Sequence, residues 1–114
     1  MQLNIAFLFH AYQPWWQFSH VLDQIITECY YPIFSNLKED ERFRLTLNVN
    51  WSLVELFQQN NYNDLVDLLD KLIKTDRIEF TGTSAYHAFM PLISDWMRHL
   101  QINLQEQNMK NLFF

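Results

Sequence analysis

Apolar and polar positions follow two rhythms along the chain, and each change of rhythm marks an element. LNIAFLF (3–9) is a short apolar run bounded by the Gln13-Pro14 turn. Such a run reads as a strand buried on both faces, as in parallel sheets. The spacing then lengthens: Phe18, Val21, Leu22, Ile25, Ile26, Cys29, Tyr30, Ile33, Phe34 and Leu37 form one stripe at steps of three and four. That stripe predicts a long helix, kinked or ended at Pro32, which lacks the N–H its ladder needs. KEDER (38–42) is a charged, exposed loop. FRLTLNVN (43–50) returns to period two, with Phe43, Leu45, Leu47 and Val49 on one face and Arg44, Thr46, Asn48 and Asn50 on the other.

Ser52 and Glu55 have capping-box spacing and predict a helix to about Gln59, ended by Asn60-Asn61. A further helix carries Leu65, Val66, Leu68, Leu69, Leu72 and Ile73. RIEFT (77–81) is a third strand closed by Gly82, with an irregular stretch through Pro91. Ser94 caps a last helix whose apolar positions are Trp96, Met97, Leu100 and Leu104. Strands separated by helical connections pair in parallel through right-handed crossovers. The fold class is therefore α/β, with three parallel strands and intervening helices.

Three such units are an incomplete domain. A closed (β/α) barrel takes about 250 residues, and three strands leave two bare edges. The apolar end Leu112-Phe113-Phe114 carries no helix-stop signal and points to continuation. The isolated chain is expected to self-associate or to be molten through its unpaired strands.

Composition narrows the function. Eight Lys+Arg against thirteen Asp+Glu give a net charge of −5, which argues against binding nucleic acid or an anionic membrane. The single glycine, Gly82, cannot build a P-loop or dinucleotide fingerprint. An apolar fraction of 49% and an aromatic fraction of 17% exclude disorder. Cys29, the lone cysteine, forms no internal disulfide and is expected in the core. The start of the chain lacks a basic n-region, and no run approaches the ~18 apolar residues of a membrane span. A cytoplasmic protein is expected.

Ligands of parallel α/β folds meet the C-terminal strand ends. Strand parity puts Leu8 with His10, Asn48 with Asn50, and Glu79 with Thr81, so the polar members converge on one surface, followed by His87. Glu79 is the oddity: a carboxylate between Ile78 and Phe80 either sits in water on an edge strand or points inward to grip a substrate group. His10, His87 and Glu79 are also two histidines and a carboxylate, though their spacing matches no metal signature. Tyr12, Trp15, Trp16 and Phe18 lie beside the first strand's end. They are either core or rings for stacking on sugar C–H faces. His20 and His99 fall within helices, as surface or packing residues.

FLFHAYQPWWQ (7–17), LTLNVNWSLVELF (45–57) and DRIEFTGTSAYHAFMPLI (76–93) resemble, in order and spacing, the N-terminal part of the glycoside hydrolase family 57 catalytic domain. That family contains α-amylases, 4-α-glucanotransferases and branching enzymes. The resemblance implies a seven-stranded (β/α) barrel, of which residues 1–114 are the N-terminal portion. The family's His-Gln-Pro motif corresponds to Tyr12-Gln13-Pro14, and its Gly-x-x-Glu motif to Asp76-Arg77-Ile78-Glu79. It implies that His10, Gln13, Glu79 and His87 line a sugar site on which Trp15 stacks, with an α-glucan or oligosaccharide as ligand. It implies no cofactor and no metal. The family's retaining mechanism uses a glutamate nucleophile and an aspartate acid/base from later strands. The chain alone is therefore expected to be inactive, and to need the remaining barrel segment or a partner chain. A non-catalytic carbohydrate-binding remnant and a metal-dependent polysaccharide deacetylase are the alternatives.

Overall fold

The computed structural model describes residues 3–114. Its elements are β1 (Leu8–Ala11), α1 (Ser19–Ile25), a π-helical turn (Ile26–Tyr30), α2 (Tyr31–Glu39), β2 (Leu45–Val49), α3 (Trp51–Gln59), α4 (Asn63–Lys74), β3 (Ile78–Phe80), a 3-10 turn (Met90–Leu92) and α5 (Asp95–Phe113). The three strands form one parallel sheet in the order β1-β2-β3. The expected α/β architecture is therefore present, with β1 and β3 as its two edges.

The sheet has two unlike faces. Leu45, Leu47 and Val49 of β2, with Ala11 and Ile78, are buried beneath the helices. The opposite face carries Leu8 and His10, Thr46 and Asn48, and Glu79, in matched register. His10, Glu79 and Leu8 are exposed there, and Thr46 and Asn48 are half-buried. The period-two reading of β2 holds from Leu45 to Val49, whereas Phe43 lies outside the strand and is exposed.

Several local expectations are corrected. β1 begins at Leu8 rather than Leu3 and is not buried on both faces. Leu3, Ile5 and Phe7 precede the strand and are exposed, and Leu8 is exposed because β1 is an edge whose outer face is uncovered among the described residues. The long helix is broken by the π-helical turn just before Pro32. Around the turn the N–H of Tyr31 reaches the carbonyl of Ile26, and the wider pitch absorbs the bond Pro32 cannot make. The turn also rotates the stripe: Leu22, Ile26, Tyr30 and Phe34 are buried at uniform steps of four, and Cys29 is exposed rather than in the core. Lys38 and Glu39 belong to α2 rather than to the loop that follows.

α3 begins two residues earlier than the capping box requires. Asn50 is its N-cap without a side-chain cap bond, and Ser52 lies inside the helix. The first N–H of α3, that of Trp51, instead donates to Gln105 Oε1 at 2.7 Å, and Gln105 Nε2 donates to the carbonyl of Val49 at 2.9 Å. One buried side chain of α5 thus satisfies both sides of the β2–α3 junction. Ser94 caps α5 as expected. Its buried face is Gln101, Gln105, Met109 and Phe113, not the stripe from Trp96 to Leu104, and Trp96 is exposed. No helix of the described residues is long and apolar enough to cross a membrane.

Candidate functional site

The C-terminal ends of the three strands are tied together by side chains. Asn48 Nδ2 donates to Thr81 Oγ1 at 2.8 Å and reaches the Gly82 carbonyl at 3.4 Å. A carbonyl only accepts, so the amide orientation is fixed and Asn48 Oδ1 faces His10 Nδ1 at 2.7 Å. In the neutral imidazole Nδ1 then carries the proton, and Nε2 is left to accept from a ligand hydroxyl. One position further on, the buried Asn50 donates to Thr83 Oγ1 at 3.2 Å and to the Ser84 carbonyl at 2.5 Å, anchoring the loop after β3.

That loop returns His87 to the strand ends. His87 has φ 52°, a left-handed conformation that histidine adopts more readily than most residues but that still stores strain. Its ring stacks on Tyr12 at 4.3 Å and lies 5.1 Å from the ring of His10. Tyr12, Trp15, Trp16, His87, Glu55 and Tyr86 line a cavity of about 400 Å³. Trp15 and Trp16 meet edge to face and are each about two-thirds exposed (64% and 65%), so neither is core. Glu55, read from sequence as half of a capping box, instead accepts a hydrogen bond from the Tyr86 hydroxyl at 3.0 Å. Burial and this carboxylate raise the Tyr86 pKa. No sequence spacing links residues so far apart; only the returning loop does.

The other sequence candidates are placed differently. Gln13 is half-buried, its amide nitrogen donating to Tyr30 at 3.4 Å and its oxygen accepting from Gln17 at 2.9 Å. It braces the segment that carries Tyr12 and Trp15. Glu79 is exposed on the expected face, but its register partner is Thr46, below the His10–Asn48–Thr81 row. It lines a separate cavity of about 600 Å³ with Arg44, Thr46 and Arg77. Among the described residues no three His, Cys, Asp or Glu side chains are placed to hold a metal ion, so His10, His87 and Glu79 do not assemble into the two-histidine, one-carboxylate site.

A parallel sheet covered by helices on one face, with polar and aromatic groups gathered at its C-terminal edge, defines an α/β protein whose candidate site lies at the strand ends where (β/α) barrels carry theirs. The chain belongs to glycosyl hydrolase family 57, whose model matches residues 6–114. It is 26% identical over 113 residues to the alpha-amylase of Pyrococcus furiosus, covering 99% of this chain and 17% of that protein. To the 4-alpha-glucanotransferase of Thermococcus litoralis it is 25% identical over 111 residues, covering 97% and 17%. The crystal structure of the latter superposes with a TM-score of 0.88 at 25% identity, over 96% of this chain and 17% of that one. The three strands and their helices are thus a partial family 57 fold, and the chain spans about 17% of the length of these relatives.

Proposed function

We propose that residues 1–114 form the N-terminal portion of an α-glucan-active catalytic barrel and hold a glucosyl ring at its strand ends. The observation that carries this reading is the cluster of His10, Tyr12 and His87 beside the exposed Trp15, in a chain of this family. Pyranose rings stack their C–H faces on aromatic rings, while their hydroxyls need paired donors and acceptors. His10 Nε2 and the His87 ring supply the polar partners, and Trp15 the stacking face. Gln13 holds the Trp15 segment in place, and Glu79 accepts from a sugar hydroxyl further into the barrel. The remaining barrel strands pair with the free edges of β1 and β3.

Bond cleavage comes from outside these residues. A retaining glycosidase needs two carboxyls about 5 Å apart across the scissile bond, and the family resemblance assigns both to later strands rather than to Glu79. The test is reducing-end release from soluble starch and maltoheptaose, with tryptophan fluorescence following maltooligosaccharide binding. Binding without turnover is expected. Turnover above that of a Glu79→Ala control overturns the assignment of catalysis elsewhere, and absence of any binding overturns the glucan reading.

A further inference from the structure

The cavity beyond His87 has a polar floor that the reading above leaves unused. Its volume of about 400 Å³ suits a sugar ring better than a polymer groove. Trp15 and Trp16 stand at 87° to one another with centroids 5.3 Å apart, so the edge of one indole meets the face of the other, and both line the cavity. In the same cavity Glu55 Oε2 accepts a hydrogen bond from the Tyr86 hydroxyl, leaving Oε1 and the tyrosine lone pairs as acceptors. Ser52, 1% exposed, lines the same cavity, and its Oγ has no hydrogen-bond partner. A buried hydroxyl without a partner costs free energy unless something brings one.

We propose that Glu55, Tyr86 and the Trp15–Trp16 pair form a second glucosyl subsite, adjoining the ring held by His10 and His87, with the Glu55–Tyr86 pair gripping sugar hydroxyls. This rests on the α-glucan reading and names a site within it. The chemistry discriminates among ligands. A carboxylate in a chain of net charge −5 repels anions. An apolar ligand would leave Glu55 and Tyr86 desolvated without gain. A quaternary ammonium needs ring faces that enclose it, whereas Trp15 and Trp16 are in edge-to-face contact with each other and Tyr86 is engaged through its hydroxyl with Glu55. A pyranose uses the stacking face and the acceptors together.

The experiment is a fluorescence titration of the 114-residue chain with glucose, maltose and maltotriose, and separately with choline. The same titrations are made on Glu55→Ala, Glu55→Gln and Tyr86→Phe. In the unaltered chain each ligand that reaches the second subsite gains one charge-assisted hydrogen bond and a stacking face, a step in Kd of about tenfold. Glu55→Ala and Tyr86→Phe lose that step and keep the affinity for the shorter sugar, which also shows that they fold. Glu55→Gln keeps an acceptor and retains part of the step. If both variants show the full step, the subsite is overturned and the glucan reading stands. Choline binding in preference to sugars likewise overturns the subsite. If the unaltered chain binds no sugar at all, both fall together.

Discussion

Gln105→Leu tests how the strand-end site is held in place. The side chain is buried, and its amide joins two backbone groups of different elements: it accepts from Trp51 N–H at 2.7 Å and donates to the Val49 carbonyl at 2.9 Å. Leucine keeps most of the volume and removes both bonds, so the cost is desolvation rather than a cavity. Each stranded backbone group costs about 1–3 kcal/mol, and relaxation toward water recovers part of that, giving a loss of about 2–4 kcal/mol. With a urea m-value of ~1–3 kcal/mol/M for a domain of this size, the midpoint falls by about 1–2 M with m unchanged. The assay is urea unfolding at dilutions where the chain is monomeric by sedimentation. Gln107→Leu on the exposed side of the same helix is the control and shifts stability by no more than about 0.5 kcal/mol. The reasoning is refuted if Gln105→Leu loses less than about 1 kcal/mol or behaves like Gln107→Leu. Water would then be replacing the amide, and α5 would not be anchored there.

Four further outcomes are expected. Asp76 adopts φ 60° at the position where the family motif carries glycine. Asp76→Gly should therefore gain up to about 1 kcal/mol and Asp76→Ala lose a similar amount in urea midpoints; equal stabilities would sink the strain argument. Tyr31 is held up at about pKa 12 by burial and by its hydrogen bond to Asp64. Protons bind the folded state more tightly, so stability is complete below pH ~10 and falls as pH rises toward 12. Tyr31→Phe should flatten that slope in a pH series of thermal melts, and an unchanged slope counts against it. Cys29, exposed within the π-helical turn, should react with a thiol reagent at the rate of a free cysteine in native buffer; protection until unfolding would contradict the rotated stripe. The open β1 edge and the exposed Leu3, Ile5, Phe7 and Leu8 should drive concentration-dependent association in sedimentation velocity. A monomer at all concentrations would refute that.

The fold was legible in the sequence where one physical term dominated. Period two in 45–49 and the apolar face of 65–72 each fix an element, because burial of one face decides its conformation. The misreadings fall where that term was shared. Cys29 fits the 3.6-residue stripe as well as Tyr30 does, and only the extra residue of the π-helical turn decides between them. The Ser52/Glu55 pair has the right spacing for a capping box. A buried glutamine 54 residues away reaches the helix end first, and local propensity carries no trace of it. In α5 the sequence shows Trp96 and Leu100 as the obvious anchors. The buried face is instead built on Gln101 and Gln105, because the groups needing partners on that side are backbone N–H and C=O.

Among the site residues the same division separates His10 from Glu79. Parity assigned both to one face, and both lie there. His10 is held by groups inside the chain: Asn48 fixes its tautomer, and Thr81 with the Gly82 carbonyl fixes Asn48. That row crosses all three strand ends. A slip of one residue in either pairing would turn one member to the helix side and break the bond across that pairing, so the row guards the sheet register as well as orienting His10. Glu79 sits beside Thr46 at a level where the sheet face is open. What faces it must be supplied by whatever covers that side. The hydrogen-bonding group of the proposed site, His10, is thus preorganised by side chains at the three strand ends, whereas in the proposed function Glu79 gains a partner from whatever covers the sheet.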